Sequence, residues 1–538
     1  MTSATHEVLN QPPPRADHDA WASDPWLRAA VERAGVADIA ERASALGLYV
    51  GSGEAAEHAR LANRHVPELR THDRYGQRID AVEYHPSYHA LMSRAIGAGV
   101  HSLAWKRAQG GFAAHAALFY LWNQLEQGTA CPVTMTFASI PVFAHAPALE
   151  AEWRAKVLAD AYDPRPLPHA AKPGVTIGMA MTEKQGGSDL RAVATRAELD
   201  GEARRLTGHK WFCSAPMSDG FFTLAREAEG VGCFFVPRSL PDGTRNVFEI
   251  QRLKEKVGNR SNASSEIEYR GTWARPVGAP GRGIATLIEM AHHTRFDIVV
   301  GVAGMMRAAL DHALHHAMHR SAFGHTLVAQ PPMANVLADL ALEAEAALIV
   351  AFRLAQAFDA SAASEDEREL QRILTPVAKY WLCKRMTPVA TEAMECLGGN
   401  GYVEDQPLAR LYREAPLNGI WEGSANVICL DALRAIARSP RALERLRAEV
   451  AAAREPRADA LADRAVAMLR GGEAAERDAR AIVESLALAV QASLMRRFSS
   501  EDAAEAFCRS RLTGTTSAFG TLDAKVDTGK LVRRAMRE

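Results

Sequence analysis

No Cys-x-x-Cys pair, no uninterrupted apolar run long enough to span a bilayer, no internal repeat and almost no net charge are found in this chain of 538 residues. Each absence narrows the field. The seven cysteines (Cys131, Cys213, Cys233, Cys383, Cys396, Cys429 and Cys508) are scattered and odd in number, which argues against a disulfide framework or a zinc ribbon and fits a reducing cytoplasm. With 63 basic and 64 acidic side chains the net charge is -1, so whole-chain electrostatics favour neither a nucleic-acid binder nor a membrane-surface protein. Any such function must be local. The first thirty residues carry Asp, Glu and the run Pro12 to Pro14 in place of an apolar stretch, which argues against a secretory signal. Between Ala108 and Leu149 the only charged residue is Glu126, but Gln109, Gly110, His115, Asn123, Pro132, Pro141 and Pro147 interrupt the stretch. A buried helical hairpin is expected there, and no membrane partner.

What is present is a large apolar fraction, 48 %, enough to bury an extensive core in three or more structural units. Alanine- and leucine-rich segments dominate residues 1–174, where Asp24 and Pro25 supply an N-cap and a first-turn proline for a helix running toward Leu46. Short β-rich runs follow in residues 175–280: Arg205 to Cys213, Gly220 to Arg226, Cys233 to Val236, Val247 to Leu253 and Glu266 to Tyr269. Helical periodicity returns over 281–438, with a polar connector from Ser361 to Glu369. Residues 439–538, rich in Ala, Arg and Glu and punctuated by Pro456 and Gly471-Gly472, read as a further helical extension. An α+β chain results, with helical domains flanking a central β-domain.

The segment Met181-Thr182-Glu183-Lys184-Gln185-Gly186-Gly187-Ser188-Asp189 places two glycines between hydroxyl side chains, a turn whose amides are open to a phosphate or to the polar edge of a flat ring. One strand-length later, Gly208-His209-Lys210-Trp211-Phe212-Cys213-Ser214 alternates with strand period, so Trp211 and Cys213 are expected on one face and Phe212 and Ser214 on the other. Singly, glycine turns and strand tryptophans belong to ordinary folds. Here they are joined downstream by Arg320-Ser321-Ala322-Phe323-Gly324 with Gln330, by Leu397-Gly398-Gly399-Asn400-Gly401-Tyr402, and by Trp421-Glu422-Gly423-Ser424.

In this order, the motifs resemble the acyl-CoA dehydrogenase family of flavoproteins from about Pro173 to Arg438, with a weaker match upstream. The wording Met181 to Asp189, Gly258 to Ser264 and Leu411 to Glu414 is similar to the family's AidB-type branch, which is associated with the response to DNA alkylation. The resemblance implies an acyl-CoA dehydrogenase-like fold with a helical N-terminal domain, a central barrel-like β-domain and a C-terminal helical bundle, beyond which this chain has its extension. It implies FAD, bound through Met181, Thr182, Gly187, Ser188, Trp211, Phe212, Ser214, Arg320, Phe323, Gln330, Gly399, Ile420, Gly423, Ser424 and Asn426. Arg320, Phe323 and Gln330 would reach the FAD of a neighbouring subunit, so a homotetramer is implied. Glu422 stands where many members keep the base that takes the Cα proton of an acyl-CoA thioester, and an apolar-flanked turn would raise its pKa toward neutrality. Two departures are visible: Cys213 replaces the family's usual threonine, and the spacing from Arg320 to Gln330 is one residue short.

Two features stand apart from that pattern. His312, His315, His316 and His319 recur at helical spacing, but with no accompanying carboxylate or cysteine pattern no metal is predicted. Residues 439–538 hold 18 Lys and Arg against 15 Asp and Glu, and Arg434, Arg438, Arg441, Arg445 and Arg447 follow at spacings suited to a phosphate-contacting ridge on closely related helix faces. An exposed face whose arginines pair with Glu444 and Glu449 explains the same charges. Two functions remain open: an AidB-type factor that binds double-stranded DNA in the alkylation response, with weak activity on acyl-CoA substrates such as isovaleryl-CoA, or a metabolic dehydrogenase whose extension serves assembly.

Overall fold

The alternation of apolar and small residues between Ile177 and Val277 produces seven strands, β3 to β9, preceded by a hairpin, β1 (Glu68–His72) and β2 (Arg78–Glu83). The computed structural model describes residues 5–513 and 518–536; residues 1–4 of the expected N-terminal domain, and 514–517 and 537–538 of the expected extension, lie outside the described residues. Strands β3 (Ile177–Ala180), β4 (Arg196–Asp200), β5 (Ala203–Ser214), β6 (Gly220–Glu227), β7 (Gly230–Pro237), β8 (Glu249–Leu253) and β9 (Ser264–Val277) form one sheet in the order β3-β6-β4-β5-β9-β7, and β8 adds to β9. A further pairing of β6 with β7 closes β6, β4, β5, β9 and β7 into a barrel. Leu206, Phe221, Phe234, Ile250 and Ile267 fill it, each no more than 1 % exposed.

The β1–β2 hairpin falls within the stretch expected to be helical. Its strands are rich in Arg, Glu and His and are held from outside, which hides them from a pattern search. Asp80, wholly buried, accepts from the Ile250 amide at 2.9 Å and from Arg245 Nη1 at 2.7 Å, fastening the hairpin to β8 and its neighbours. The helix expected from Asp24 toward Leu46 is also revised. Asp24 does cap it, accepting from the amides of Trp26 and Leu27 at 3.1 Å, but it ends at Arg33 and a second helix spans Ala40–Val50. Gly35, at φ 72, turns the chain between them.

The chain divides into two compact units, one comprising Glu54–Asp297 and the other the described parts of Met1–Gly53 and Ile298–Glu538; the division falls inside the long helix Gly283–His319. The second unit is a bundle around helices Pro331–Ala360 and Glu365–Cys396. Ser364 caps the latter, accepting from the Glu367 amide at 3.3 Å, and Glu365, Asp366 and Glu367 lie at its positive end. A short ribbon, β10 (Ser321–Ala322) and β11 (His325–Thr326), follows helix Gly283–His319.

Helices Pro440–Ala451, Ala479–Phe498 and Thr528–Ala535 pack against the two central helices, and the residues from Ile482 to Met495 are almost all buried. Arg511 donates to Glu343 at 2.8 Å and also pairs with Asp339, while Arg534 pairs with Glu345 at 2.9 Å; all three carboxylates belong to helix Pro331–Ala360 and are buried. The extension is thus joined to the bundle through its core.

Candidate functional site

In the barrel unit, the loop after β3 is folded around Glu183. Its Oε1 accepts from Lys210 Nζ at 2.7 Å and from Thr195 Oγ1 at 2.6 Å, and its Oε2 from the Ala194 amide at 2.8 Å and Gln185 Nε2 at 2.6 Å. Glu183 and Lys210 are 1 % and 0 % exposed, an ion pair removed from water. Burial pulls the Glu183 pKa upward, but the Lys210 charge and the converging hydrogen bonds outweigh it and hold the carboxyl down at about 2. The Lys184 amide donates to His209 Nε2 at 2.9 Å, and burial lowers that imidazole's pKa, in keeping with a neutral acceptor. The Trp211 amide donates to the Thr182 carbonyl at 2.8 Å, so loop and strand are hydrogen-bonded side by side.

Within this frame Met181, Thr182, Gly187 and Ser188 lie on the loop, and Trp211, Phe212 and Ser214 at the end of β5. A Cβ on Gly187 would come 2.5 Å from Thr182 Oγ1, so any larger residue there would have to displace the Thr182 side chain. The amides of Gly187 and Ser188 have no hydrogen-bond partner among the described residues and are open to an anion or to a ring's polar edge. These features fit FAD.

The expected alternation at Trp211 is corrected by a bulge. Register between β5 and β9 shifts between Lys210 and Cys213, so Trp211 and Phe212 oppose a single residue. Cys213 drops wholly into the barrel core, where burial pushes its thiol up to about 12, whereas Trp211 stays partly exposed and Phe212 is 48 % exposed. Trp211 and Cys213 therefore do not share a face. Lys254, which the sequence reading passed over, brings its ammonium 3.1 Å from the centroid of the Trp211 indole and pairs with Glu266 at 2.6 Å. Its signal was weak because a lysine next to a strand end reads as a solvated charge. A groove of about 520 Å³ in the same unit, lined in part by Trp153, His169, Phe235 and Trp273, includes none of these residues.

In the helical unit the expected residues lie at three places. Arg320, Phe323 and Gln330 belong to the β10–β11 arm, whose tip carries Phe323 at φ 52 and Gly324 at φ 83; Phe323 is 95 % exposed. Gln330 Nε2 closes the arm by donating to the Ala322 carbonyl at 3.0 Å. Gly399 sits in the 3-10 turn Gly398–Tyr402 at the end of helix Glu365–Cys396. Ile420, Glu422, Gly423 and Ser424 lie in the turn entering helix Ala425–Arg438 and Asn426 in its first turn, with Ile420 63 % exposed and the side-chain Oδ1 of Asn426 accepting from Arg480 Nε at 2.8 Å.

Glu422 adopts φ 57, a left-handed conformation that costs a side-chain-bearing residue about 1 kcal/mol or more. Lys379, buried on helix Glu365–Cys396, holds it there: Nζ donates to the carbonyls of Trp421 at 2.8 Å and Gly423 at 2.6 Å, one on each side of the glutamate. Glu422 is half-buried and its Oε2 is shielded from solvent. No motif pointed to Lys379, since its role depends on a contact distant in sequence.

The single arginine ridge is revised. Helix Ala425–Arg438 ends before an extended Ser439, φ -138 and ψ 97, and a new helix begins at Pro440, so Arg434 and Arg438 lie on one helix and Arg441 and Arg445 on the next. Arg441 pairs with Glu365 at 2.6 Å and Asp366 at 2.8 Å, Arg445 lies 3.6 Å from Glu367, and Arg447 pairs with Asp463 at 2.6 Å. Glu449 pairs with Arg353 and Arg497 rather than with the ridge. Arg434 and Arg438 are exposed, with no carboxylate partner among the described residues.

Comparison with known proteins bears on the same segments. Residues 10–164 match the adaptive response protein AidB N-terminal domain, residues 178–272 the acyl-CoA dehydrogenase middle domain, and residues 281–437 the acyl-CoA dehydrogenase C-terminal domain. The chain is 43 % identical over 511 residues to the AidB protein of Escherichia coli (strain K12), covering 94 % of each. Among solved structures, Bd2924 in its apo form superposes with a TM-score of 0.84 at 28 % identity, covering 91 % of this chain and 99 % of that one. Caenorhabditis elegans ACDH-11, solved in complex with C11-CoA, gives a TM-score of 0.85 at 23 % identity, covering 99 % and 98 %, a likeness of fold. No helix among the described residues is long and apolar enough to cross a membrane. The chain belongs to the AidB-like branch of the acyl-CoA dehydrogenase family, FAD-dependent oxidoreductases.

Proposed function

We propose that the protein dehydrogenates the α,β-carbons of an acyl-CoA thioester, with Glu422 taking the Cα proton. The observation that carries this reading is the Glu422 turn, a glutamate with left-handed backbone whose flanking carbonyls are both held by a buried lysine. Strain held in place by surrounding structure is a mark of functional sites. Glu422 Oε accepts the proton from Cα, and Lys379 keeps the turn from relaxing as the charge on the carboxylate is lost. Bound FAD supplies the acceptor for the hydride that leaves Cβ. Thr182, Gly187 and Ser188 would hold its polar groups, with Trp211 and Phe212 flanking the ring, Ser214 at the strand end, and Met181 behind the loop. In a homotetramer Arg320, Phe323, Gln330 and Gly399 of one copy would meet the FAD of another, and Ile420, Gly423, Ser424 and Asn426 would line the approach to Glu422.

The test is flavin bleaching by a panel of acyl-CoA thioesters, isovaleryl-CoA among them, without oxygen. At least one substrate should bleach the flavin, and Glu422→Gln should slow the step by about 10²-fold or more while FAD stays bound. A panel that bleaches nothing, or an undiminished Glu422→Gln, defeats the assignment.

A second reading accompanies it: binding of double-stranded DNA, in a response to DNA alkylation. The AidB-like extension and the exposed, uncommitted Arg434 and Arg438 support it, whereas Arg441 and Arg445 would first have to leave their carboxylates. Removing residues 439–538 would also remove bundle core, so charge reversal is the cleaner test. Arg434→Glu with Arg438→Glu should lower the slope of log affinity against log salt by about two. An unchanged slope eliminates these two side chains as phosphate contacts.

A further inference from the structure

The N-terminal segment is fastened to the arm that carries Arg320, and the fastening is specific. Asn10 stands at φ 56, a conformation asparagine tolerates better than most residues. Its carboxamide makes two hydrogen bonds to one backbone position, Nδ2 donating to the Ser321 carbonyl at 2.8 Å and Oδ1 accepting from the Ser321 amide at 2.8 Å. Asn10 thus takes the place of a third strand beside β10. Its own carbonyl accepts from Arg320 Nη1 at 2.7 Å. Three residues on, the Pro13 carbonyl accepts from His315 Nε2 at 2.8 Å, and Arg15 pairs with Asp311 at 2.9 Å, so the segment is tied to successive turns of helix Gly283–His319.

We infer that residues 10–15 act as a strap that orders the arm before it meets its ligand, with Asn10 as a positioning residue for Arg320. A ribbon of two residue pairs is too small to be rigid alone, and a guanidinium on a long side chain loses much rotational freedom when it binds an anion. The strap removes both sources of disorder beforehand. It uses Nη1 of Arg320 and leaves the Nε–Nη2 edge without a partner among the described residues, the edge suited to bidentate contact with a phosphate. The ligand class is a phosphate-bearing cofactor presented by a second copy of the chain. The strap also gives His315, one of the helical histidines, a contact other than a metal. This inference rests on the reading that the arm meets FAD.

The experiment titrates FAD-depleted protein with FAD, following flavin fluorescence, and measures hydrogen exchange at the Ser321 amide. Asn10→Gly keeps the left-handed backbone and removes the carboxamide. It should weaken FAD binding about tenfold and release the Ser321 amide from protection. Asn10→Asp, which keeps the acceptor, should lie between Asn10→Gly and the parent. Arg320→Ala should weaken binding at least as much, and Asn10→Gly added to it should cause no further loss. Should Asn10→Gly free the Ser321 amide yet leave FAD affinity unchanged while Arg320→Ala lowers it, the strap is overturned and the FAD reading of the arm stands. Losses that simply add overturn it as well. An Arg320→Ala protein that binds FAD as the parent does overturns the reading of the arm itself, and the strap with it.

Discussion

Lys379 shows how much one side chain at a distance can decide. Replacing it by methionine keeps most of the bulk but leaves the Trp421 and Gly423 carbonyls without their donor, each loss worth about 1 to 3 kcal/mol where the group stays buried. With its clamp gone, the left-handed turn is expected to relax and carry the Glu422 carboxylate off line. Lys379→Met should therefore slow substrate-dependent flavin bleaching by about 10- to 100-fold, with FAD content and thioester affinity little changed, as measured by rapid mixing and by titration. If bleaching is untouched, the lysine serves stability alone. Glu422 was legible in the sequence because Trp421, Gly423 and Ser424 surround it in a pattern that a family shares. Lys379 was not: its meaning comes from where helix Glu365–Cys396 places it, and a lysine in a helix otherwise reads as surface. Cys213 was misread for a related reason, since a one-residue bulge changes which side chains a strand sends inward without leaving a mark in the hydrophobic pattern.

The loop carrying Gly186 and Gly187 depends on an ion pair between two elements. Glu183→Gln would leave Lys210 charged and buried without its counter-charge, holding only neutral acceptors such as the Leu224 carbonyl, and breaking such a pair costs about 3 to 5 kcal/mol. The variant should melt markedly lower and lose FAD on dilution. Lys210→Met added to it should recover much of the stability, because an apolar replacement of the whole pair removes the stranded charge. A calorimetric scan of the three variants decides the matter. The pair also sets a pH limit. The Glu183 pKa is depressed from 4.5 to about 2, so its contribution to stability is fully present above about pH 4.5 and is lost as pH falls toward 2. Acid release of flavin should include a step in that window that Glu183→Gln lacks. At this scale the sequence was informative: the main strands of the barrel and the long helices follow from period and turn residues. It failed where polar chains are held from elsewhere, as in the β1–β2 hairpin around Asp80, or where one glycine divides a helical stretch, as Gly35 does.

Across the whole molecule, several arginines of the extension pair with buried carboxylates, although most of its charges are exposed. Glu343 accepts from both Arg385 at 2.9 Å and Arg511 at 2.8 Å, and these two arginines keep its pKa low against the pull of burial. Glu343→Gln would leave two guanidiniums short of their shared counter-charge and should destabilise the bundle by about 3 kcal/mol, read from denaturant unfolding. A chain ending at Arg438 should fail to fold cooperatively, since it lacks helix Ala479–Phe498, whose inner face is part of the same core. Soluble, cooperatively melting material of that length would contradict this picture. Counting charge along residues 439–538 left open both a phosphate-contacting ridge and a face of carboxylate-paired arginines, because a sum cannot tell which arginines face a carboxylate in the folded chain.

The arrangement around Arg307 has a consequence for synthesis. That residue, fully buried, pairs with Asp311 at 3.0 Å, lies 3.5 Å from Asp24 and donates to the Ala535 carbonyl at 3.4 Å, so the helices Pro25–Arg33 and Thr528–Ala535, far apart in sequence, close on one cation. The barrel unit lies between them in sequence and can form while translation continues. Helix Pro25–Arg33, with Trp26, Leu27 and Val31 turned toward a core that does not yet exist, must wait on the order of tens of seconds for helix Thr528–Ala535 to be made. A nascent chain paused before Thr528 should therefore occupy a holding chaperone, and should let it go when helix Thr528–Ala535 emerges.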